Sequence, residues 1–180
     1  MSSLEDIKVS LDSNTNLTDD VKAKISSLVK KFDSKIRGIN LDKLNENLKT
    51  VQLGKIGIFE RKGAYEYDVV GNRILFSKKT KGNYDIDHIF MKAILEMTTS
   101  TGKYTGFSSD DRLRVLNLAY TEILANYIIG NEGDSDLEEE MLVTNLLSHI
   151  VGKDTLFNSY FSNNGDVILA AMQDSEVGLL

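Results

Sequence analysis

Hydrophobic positions recur every three or four residues along most of this chain and every second residue along one short stretch, which predicts helices around a small sheet. Residues 5–12 hold the brief alternation IKVSLDS and predict a short edge strand. Asn16-Leu17-Thr18-Asp19 then supplies a helix start. The Thr18 hydroxyl caps free backbone N–H groups, and Asp19 and Asp20 sit where the helix dipole favours anions. Ile25, Leu28, Val29, Phe32 and Ile36 form one apolar stripe over residues 19–36. Gly38-Ile39-Asn40 breaks it, and Leu41, Leu44 and Leu48 share one side of a short helix over residues 41–48.

Between residues 51 and 77 the period shortens to two. Val51, Leu53, Ile56, Ile58 and Phe59 lead into the turn signal Glu60-Arg61-Lys62-Gly63; Tyr65, Tyr67 and Val69 then alternate with Ala64, Glu66, Asp68 and Val70. Gly71-Asn72 turns again before Ile74-Leu75-Phe76, so three successive strands form a small β-meander. A polar connection over residues 78–83 enters a central helix over residues 84–97. Its buried face is Ile86, Ile89, Phe90, Ala93, Ile94 and Met97. Ser108, Ser109, Asp110 and Asp111 cap the next helix, which runs to Ile129 and stops at Gly130. Leu113, Leu116, Leu118, Tyr120, Leu124, Tyr127 and Ile128 make it apolar over most of its circumference. Glu138, Glu139 and Glu140 open a further helix, continued as a buried one by Met141, Leu142, Leu146, Leu147 and Ile150 to Gly152. Two short helices, residues 154–161 and 166–172, are joined by Ser162-Asn163-Asn164-Gly165. The predicted fold is α+β, a small β-meander packed against a mainly helical domain. It is a single domain over residues 1–180: N-terminal helices (1–50), sheet (51–77), two central helices (84–130) and C-terminal helices (135–172).

Composition narrows the chemistry. The 180 residues are 41% hydrophobic, with no cysteine and no proline. That excludes disulfides, thiolate metal sites and cysteine nucleophiles, and leaves stability to a core that buries about 70% of the unfolded chain's surface. No apolar run nears the roughly 18 residues that span a bilayer, and the N-terminus MSSLEDIKVSLDS lacks the layout of a signal peptide. The expectation is a protein without a membrane partner, cytoplasmic or assembled into a particle made in the cytoplasm. The net charge of −6 is uneven: residues 1–55 carry ten Lys and Arg against eight Asp and Glu, and residues 56–180 carry eleven against nineteen. Such an acidic balance argues against nucleic acid as a partner, because that binding neutralises phosphates. Lys22, Lys24, Lys30, Lys31, Lys35 and Arg37 read as the solvated face of an amphipathic helix. The acidic cluster at 138–140 lacks the spacing of a calcium loop. Ser108 and Ser109 have no histidine nearby and no G-x-S-x-G elbow, so no serine nucleophile is read. His149 reads as a helix-terminal residue.

Candidate chemistry lies on the two central helices. Lys92 and Glu96 are one turn apart and point the same way, with His88 one turn earlier. Lys92-Ala93-Ile94-Leu95-Glu96 falls in the register of the HExxH helix of gluzincin-type zinc peptidases and resembles it in place but not in ligands. In that helix two histidines bind Zn²⁺ and the glutamate is the general base. Leu116-Asn117-Leu118-Ala119-Tyr120-Thr121-Glu122 resembles the second signature, N-E-G-x-T-E, through Asn117, Thr121 and Glu122. Gly63-Ala64-Tyr65 with Asn72-Arg73-Ile74 resembles the strand pair before the zinc helix, whose last strand edges the substrate cleft. Ile150-Val151-Gly152-Lys153-Asp154 with Tyr160-Phe161 resembles the C-terminal helical portion, so the likeness covers about residues 50–172.

The histidine positions hold Lys92 and Glu96, the base position Ala93, and the third ligand position Leu118. The resemblance therefore implies a pseudopeptidase with no catalytic residue, metal or cofactor. Its expected role is a protein-binding or structural module, a component of a virion or other assembly, engaging a protein partner or its own copies. Lys92 and Glu96 are expected to neutralise each other in the former metal cleft, with Glu122 turned into the same space towards Lys92. Tyr65, Asn72, Tyr104, His88 and Glu122 are the candidate cleft residues. Two other readings stay open: a metal-dependent hydrolase with a displaced site of His88, Glu96 and Glu122, and a helical interaction protein unrelated to peptidases.

Overall fold

A computed structural model of the chain describes residues 1–56, 65–77, 85–107, 111–130 and 137–177. The turn expected at 60–63, the connection at 78–83, the helix start at Tyr84, the caps Ser108, Ser109 and Asp110, and the segment 131–136 lie outside them.

The first element corrects the predicted edge strand: α1 (Leu4–Ser13) is a helix. Ser3 and Asp6 form a reciprocal cap, the Asp6 N–H donating to Ser3 Oγ at 3.2 Å and the Ser3 N–H to Asp6 Oδ2 at 2.7 Å. A strand would bury Ile7, Val9 and Leu11 together. The helix instead buries Ile7, Ser10 and Leu11, and Val9 is 60% exposed. α2 (Asp19–Lys35) starts on Thr18 and buries Ile25, Leu28, Val29 and Phe32, and α3 (Asp42–Leu48) buries Leu44 and Leu48.

The sheet has three strands, β1 (Gln52–Ile56), β2 (Tyr65–Asp68) and β3 (Arg73–Ser77), in the order β1-β3-β2. It is not a meander. β2 and β3 form an antiparallel hairpin, whereas β1 runs parallel to β3 with Gln52 opposite Arg73. The cause is a polar knot at one end. Asn72, in the left-handed turn before β3 (φ 49°), donates its amide to the Asn47 carbonyl at the end of α3, and its own carbonyl accepts the Gln52 N–H at 3.2 Å. β1 and β3 therefore set out from one point in one direction. As a result β3, expected to edge the cleft, is the central strand, and β2 is an edge among the described strands.

α4 (Ile86–Thr99) is the element the others surround: from His88 to Thr99 every residue is buried except Lys92. Ile86, expected on its buried face, is 41% exposed at the first turn. α2, α3, α5 and α7 pack on it, and β2 lies against it with Phe76 of β3 meeting Phe90 edge-on at 6.1 Å. A 3₁₀ turn (Asp111–Leu113) leads into α5 (Arg114–Ile129), which ends on the left-handed Gly130 as expected. Tyr127, expected in its apolar face, is 60% exposed.

α6 (Glu138–Val151) corrects a second expectation. It is not a buried helix: Thr144 is its buried residue, and Leu142, Leu146 and Ile150 face outward. α7 (Lys153–Ser162) and α8 (Asp166–Val177) follow, joined through the left-handed Asn163. That residue's amide donates to the carbonyls of Thr99 and Gly106, both at 2.7 Å, fixing α7 to the end of α4. One core runs from Ile7 to Ile168, with the rings of Phe107, Tyr120 and Tyr160 meeting tilted or edge-on at 5.2 to 5.3 Å between centres. Among the described residues no helix is long and apolar enough to cross a membrane.

Candidate functional site

The wall between α4 and α5 carries charge where apolar packing would be expected. Lys92 Nζ lies 2.6 Å from Glu122 Oε2, the Lys92 side chain 14% and the Glu122 side chain 1% exposed. Desolvating either charge alone is expensive, so the pair is held by its own attraction across two packed helices. The ammonium sits off a hydrogen-bonding line, and no donor among the described residues meets Glu122 Oε1. Lys92 Nζ also stands 5.1 Å from the centre of the Tyr65 ring. The Tyr65 hydroxyl donates to Glu96 Oε2. Burial, then the neighbouring Glu96 charge, raises the Tyr65 pKa well above the ordinary phenol value, so its proton stays in place as the donor. The expected Lys92–Glu96 couple is thus corrected in its partners, and the expected reach of Glu122 towards Lys92 is found. Lys92 is neutralised by Glu122 from the next helix, because the i+4 position below it is engaged by a strand.

In front of this wall lies a cleft of about 270 Å³. One side is β2, with Glu66 and Asp68 at its lip; the other is the loop of residues 103–105 and the start of α5. Glu96 is reached from within it. Asp111, Arg114 and Leu118, at spacings of three and four, present one face of the α5 start to the opening. The loop is pinned from behind. Asn117 Oδ1 accepts the Phe107 N–H at 3.0 Å, and Thr99 Oγ1 accepts the Gly106 N–H at 2.8 Å. Gly106 has φ +60°, and a Cβ there would lie 1.8 Å from Asn117 Oδ1.

No family model, curated protein or solved structure matches the chain.

Of the positions singled out in the sequence, Glu96, Leu118 and Tyr104 line the cleft, and Lys92, Glu122 and Tyr65 form the network behind it. Ala93 is fully buried in the core. His88 sits outside the lining, buried at the start of α4 with Nδ1 2.9 Å from Asp85 Oδ2. Asn72 is likewise a strut: it accepts the Tyr67 hydroxyl at 2.7 Å and ties the β2–β3 turn to α3. Asn117 and Thr121, which carried part of the likeness on α5, both act within the core. Asn117 holds the loop, and the Thr121 hydroxyl meets Tyr160 OH at 2.7 Å. Among the described residues no three His, Asp or Glu side chains gather closely enough to hold a metal ion, His88, Glu96 and Glu122 included. Glu66, Asp68, Asp111 and Arg114 were missed in the sequence. The 111–114–118 spacing could have found three of the cleft positions, but nothing local marks which side of β2 is open.

Proposed function

We propose that this chain is a non-catalytic protein-binding module, built on a peptidase-like plan, that holds an extended segment of a partner along the outer edge of β2, the edge strand of the described sheet. The observation that carries the reading is the combination of an edge strand with a cleft running beside it and an internally paired charge wall behind. An edge strand offers main-chain donors and acceptors to an incoming strand, and a bordering groove selects its side chains. Of the three positions that the resemblance makes metal-ligand positions, Glu96 and Leu118 line the cleft and Lys92 stands in the network behind it. Their chemistry is an amine, a phenol-bound carboxylate and an aliphatic side chain, which suits holding rather than hydrolysis.

A displayed library of unstructured peptides tests this. Selection on the wild-type chain should recover extended sequences, and their binding should slow hydrogen exchange at the amides of residues 65–68. Leu118→Trp, which fills the groove from a half-buried position, should weaken those peptides at least about tenfold, roughly 1.4 kcal/mol. Recovery of no peptide, or peptides indifferent to both Leu118→Trp and Tyr65→Ala, would count against the groove. Zinc-dependent cleavage of a recovered peptide would overturn the non-catalytic reading.

A further inference from the structure

A second cavity, of about 440 Å³, lies between the α2–α3 connection, the last turn of α4 and α7. Phe157 and Phe161, four residues apart on α7, share one face of that helix and line the cavity together with Ile39, all three half-buried. The two rings meet tilted at 4.9 Å between centres, and Phe161 is backed by Phe32 at 6.3 Å in a nearly parallel stack. Thr98 closes the α4 side; its hydroxyl proton is spent on the Ile94 carbonyl at 2.7 Å. Lys43 is the one charged side chain of the lining. In a chain of net charge −6, a wall of this extent with no carboxylate is a departure. The Lys43 ammonium meets a neutral acceptor, donating to Asn163 Oδ1 at 2.8 Å. Asp42 beside it is engaged elsewhere, accepting the Ser2 hydroxyl at 2.8 Å. Lys35 and Arg37, both exposed, stand just before Gly38 of the same connection and add to the positive field.

We propose that this cavity binds a small aromatic carboxylate, its ring against Phe157 and Phe161 and its carboxylate at the Lys43 ammonium. Sites for small molecules are mostly apolar clefts of roughly 300–1,000 Å³ in which a few polar groups fix orientation, and this one supplies an aromatic wall and a single cation. A ligand ring packs offset or edge-on against phenylalanine, a contact that an aliphatic chain of the same size does not reproduce. An ammonium has three N–H donors, and the Asn163 contact uses one of them, so a carboxylate can be met without breaking it. A neutral ligand would occupy the apolar wall and leave the Lys43 charge unanswered. Because Lys43 is exposed, the charged contact is a modest one, and ring and carboxylate together give a dissociation constant of about 0.1–1 mM for a ligand of about eleven heavy atoms. The site is separate from the cleft beside β2 and does not depend on peptide binding there.

Amide chemical shifts of the ¹⁵N-labelled full chain, followed during titration with 3-phenylpropionate to about 10 mM, test the assignment. Saturable shifts should gather on the amides of Ile39, Asn40, Asn158 and Ser162, with a dissociation constant below about 1 mM. The neutral 3-phenylpropionamide should bind about tenfold more weakly, and 3-cyclohexylpropionate at least about threefold more weakly. Lys43→Gln should weaken the acid about tenfold while leaving the neutral analogue within about twofold, which separates loss of the charge from loss of the cavity. Asn158→Trp, a change at an exposed position of the rim, should obstruct both ligands. Amide shifts that stay unchanged away from the cavity show that each variant keeps its fold. The proposal is overturned by the absence of saturable shifts at these amides at about 10 mM, by equal binding of the acid and its neutral analogue, or by a Lys43→Gln chain that retains the preference for the acid. Equal binding of the cyclohexyl compound overturns the ring contact.

Discussion

The residue that most distinguishes this core is Glu122, a carboxylate on the inner face of α5 whose charge is met, among the described residues, by the Lys92 ammonium. Removing one member of such a pair leaves the other desolvated and alone, a loss of about 3–5 kcal/mol in typical cases. Lys92→Met should therefore lower the unfolding free energy in urea by about 3 kcal/mol, partly relieved if water reaches the half-open Lys92 position. The double replacement Lys92→Met with Glu122→Met substitutes an apolar contact of similar volume and should recover most of that loss. A cycle in which the two single costs simply add would show that the pair contributes no coupling. Gly106 is a second fixed point. Gly106→Ala demands both a positive φ and space already filled by Asn117 Oδ1, so it should cost about 2 kcal/mol or more, read from the same urea transitions.

At the scale of elements, α1 shows how a local cap decides between two readings of one pattern. Ile7, Val9 and Leu11 satisfy a period of two, and Ile7 and Leu11 also satisfy a spacing of four. The Ser3–Asp6 cap settles it in favour of the helix. Ser3→Ala removes the acceptor for the Asp6 N–H and should cost about 1 kcal/mol, a fall of about 2–4 °C in Tm for a chain of this size. An unchanged melting curve would mean that α1 is held by Ile7 and Leu11 packing alone. The other helices were legible because their starts and stops are written locally, as in Thr18 before α2 and Gly130 after α5. What was not legible depended on distant chain. α6 has a good apolar face, and periodicity reports that a face exists without saying whether anything covers it. The parallel pairing of β1 rests on Asn72 joining Asn47 and Gln52, and the outer place of β2 among the described strands follows from it. The site divides in the same way. Lys92 and Glu122 could be placed near each other from two helices, but Tyr65 donating to Glu96 required the strand order.

For the molecule as a whole, opposite shifts in two classes of acid set the pH range of stability. Asp6, Asp42 and Asp68 are held below the ordinary 3.8: by the Ser3 N–H and hydroxyl, by the Ser2 hydroxyl and N–H, and by the Gly71 N–H with Arg73. Asp85 is raised by burial but more than brought down by His88 and backbone N–H groups. An unfolded chain takes protons at these sites near 3.8 while the folded one still refuses them. Their contribution is therefore complete above about pH 5 and is lost as pH falls below about 4 through the depressed values. The tyrosines act at the other end. Burial raises Tyr65, Tyr67 and Tyr160 well above 10.0, and Tyr120 to about 12. Here the folded state keeps protons that the unfolded state releases above 10.0, so stability present below that point declines as pH climbs through the folded values. In an alkaline titration, the phenolate absorbance of these four should rise together with the loss of helical ellipticity, because each ionises only when the core opens. Phenolate appearing in full while the ellipticity holds would mean that Tyr65, Tyr67, Tyr120 and Tyr160 reach solvent without unfolding. The polar wall behind the cleft would then be an open surface rather than part of the core.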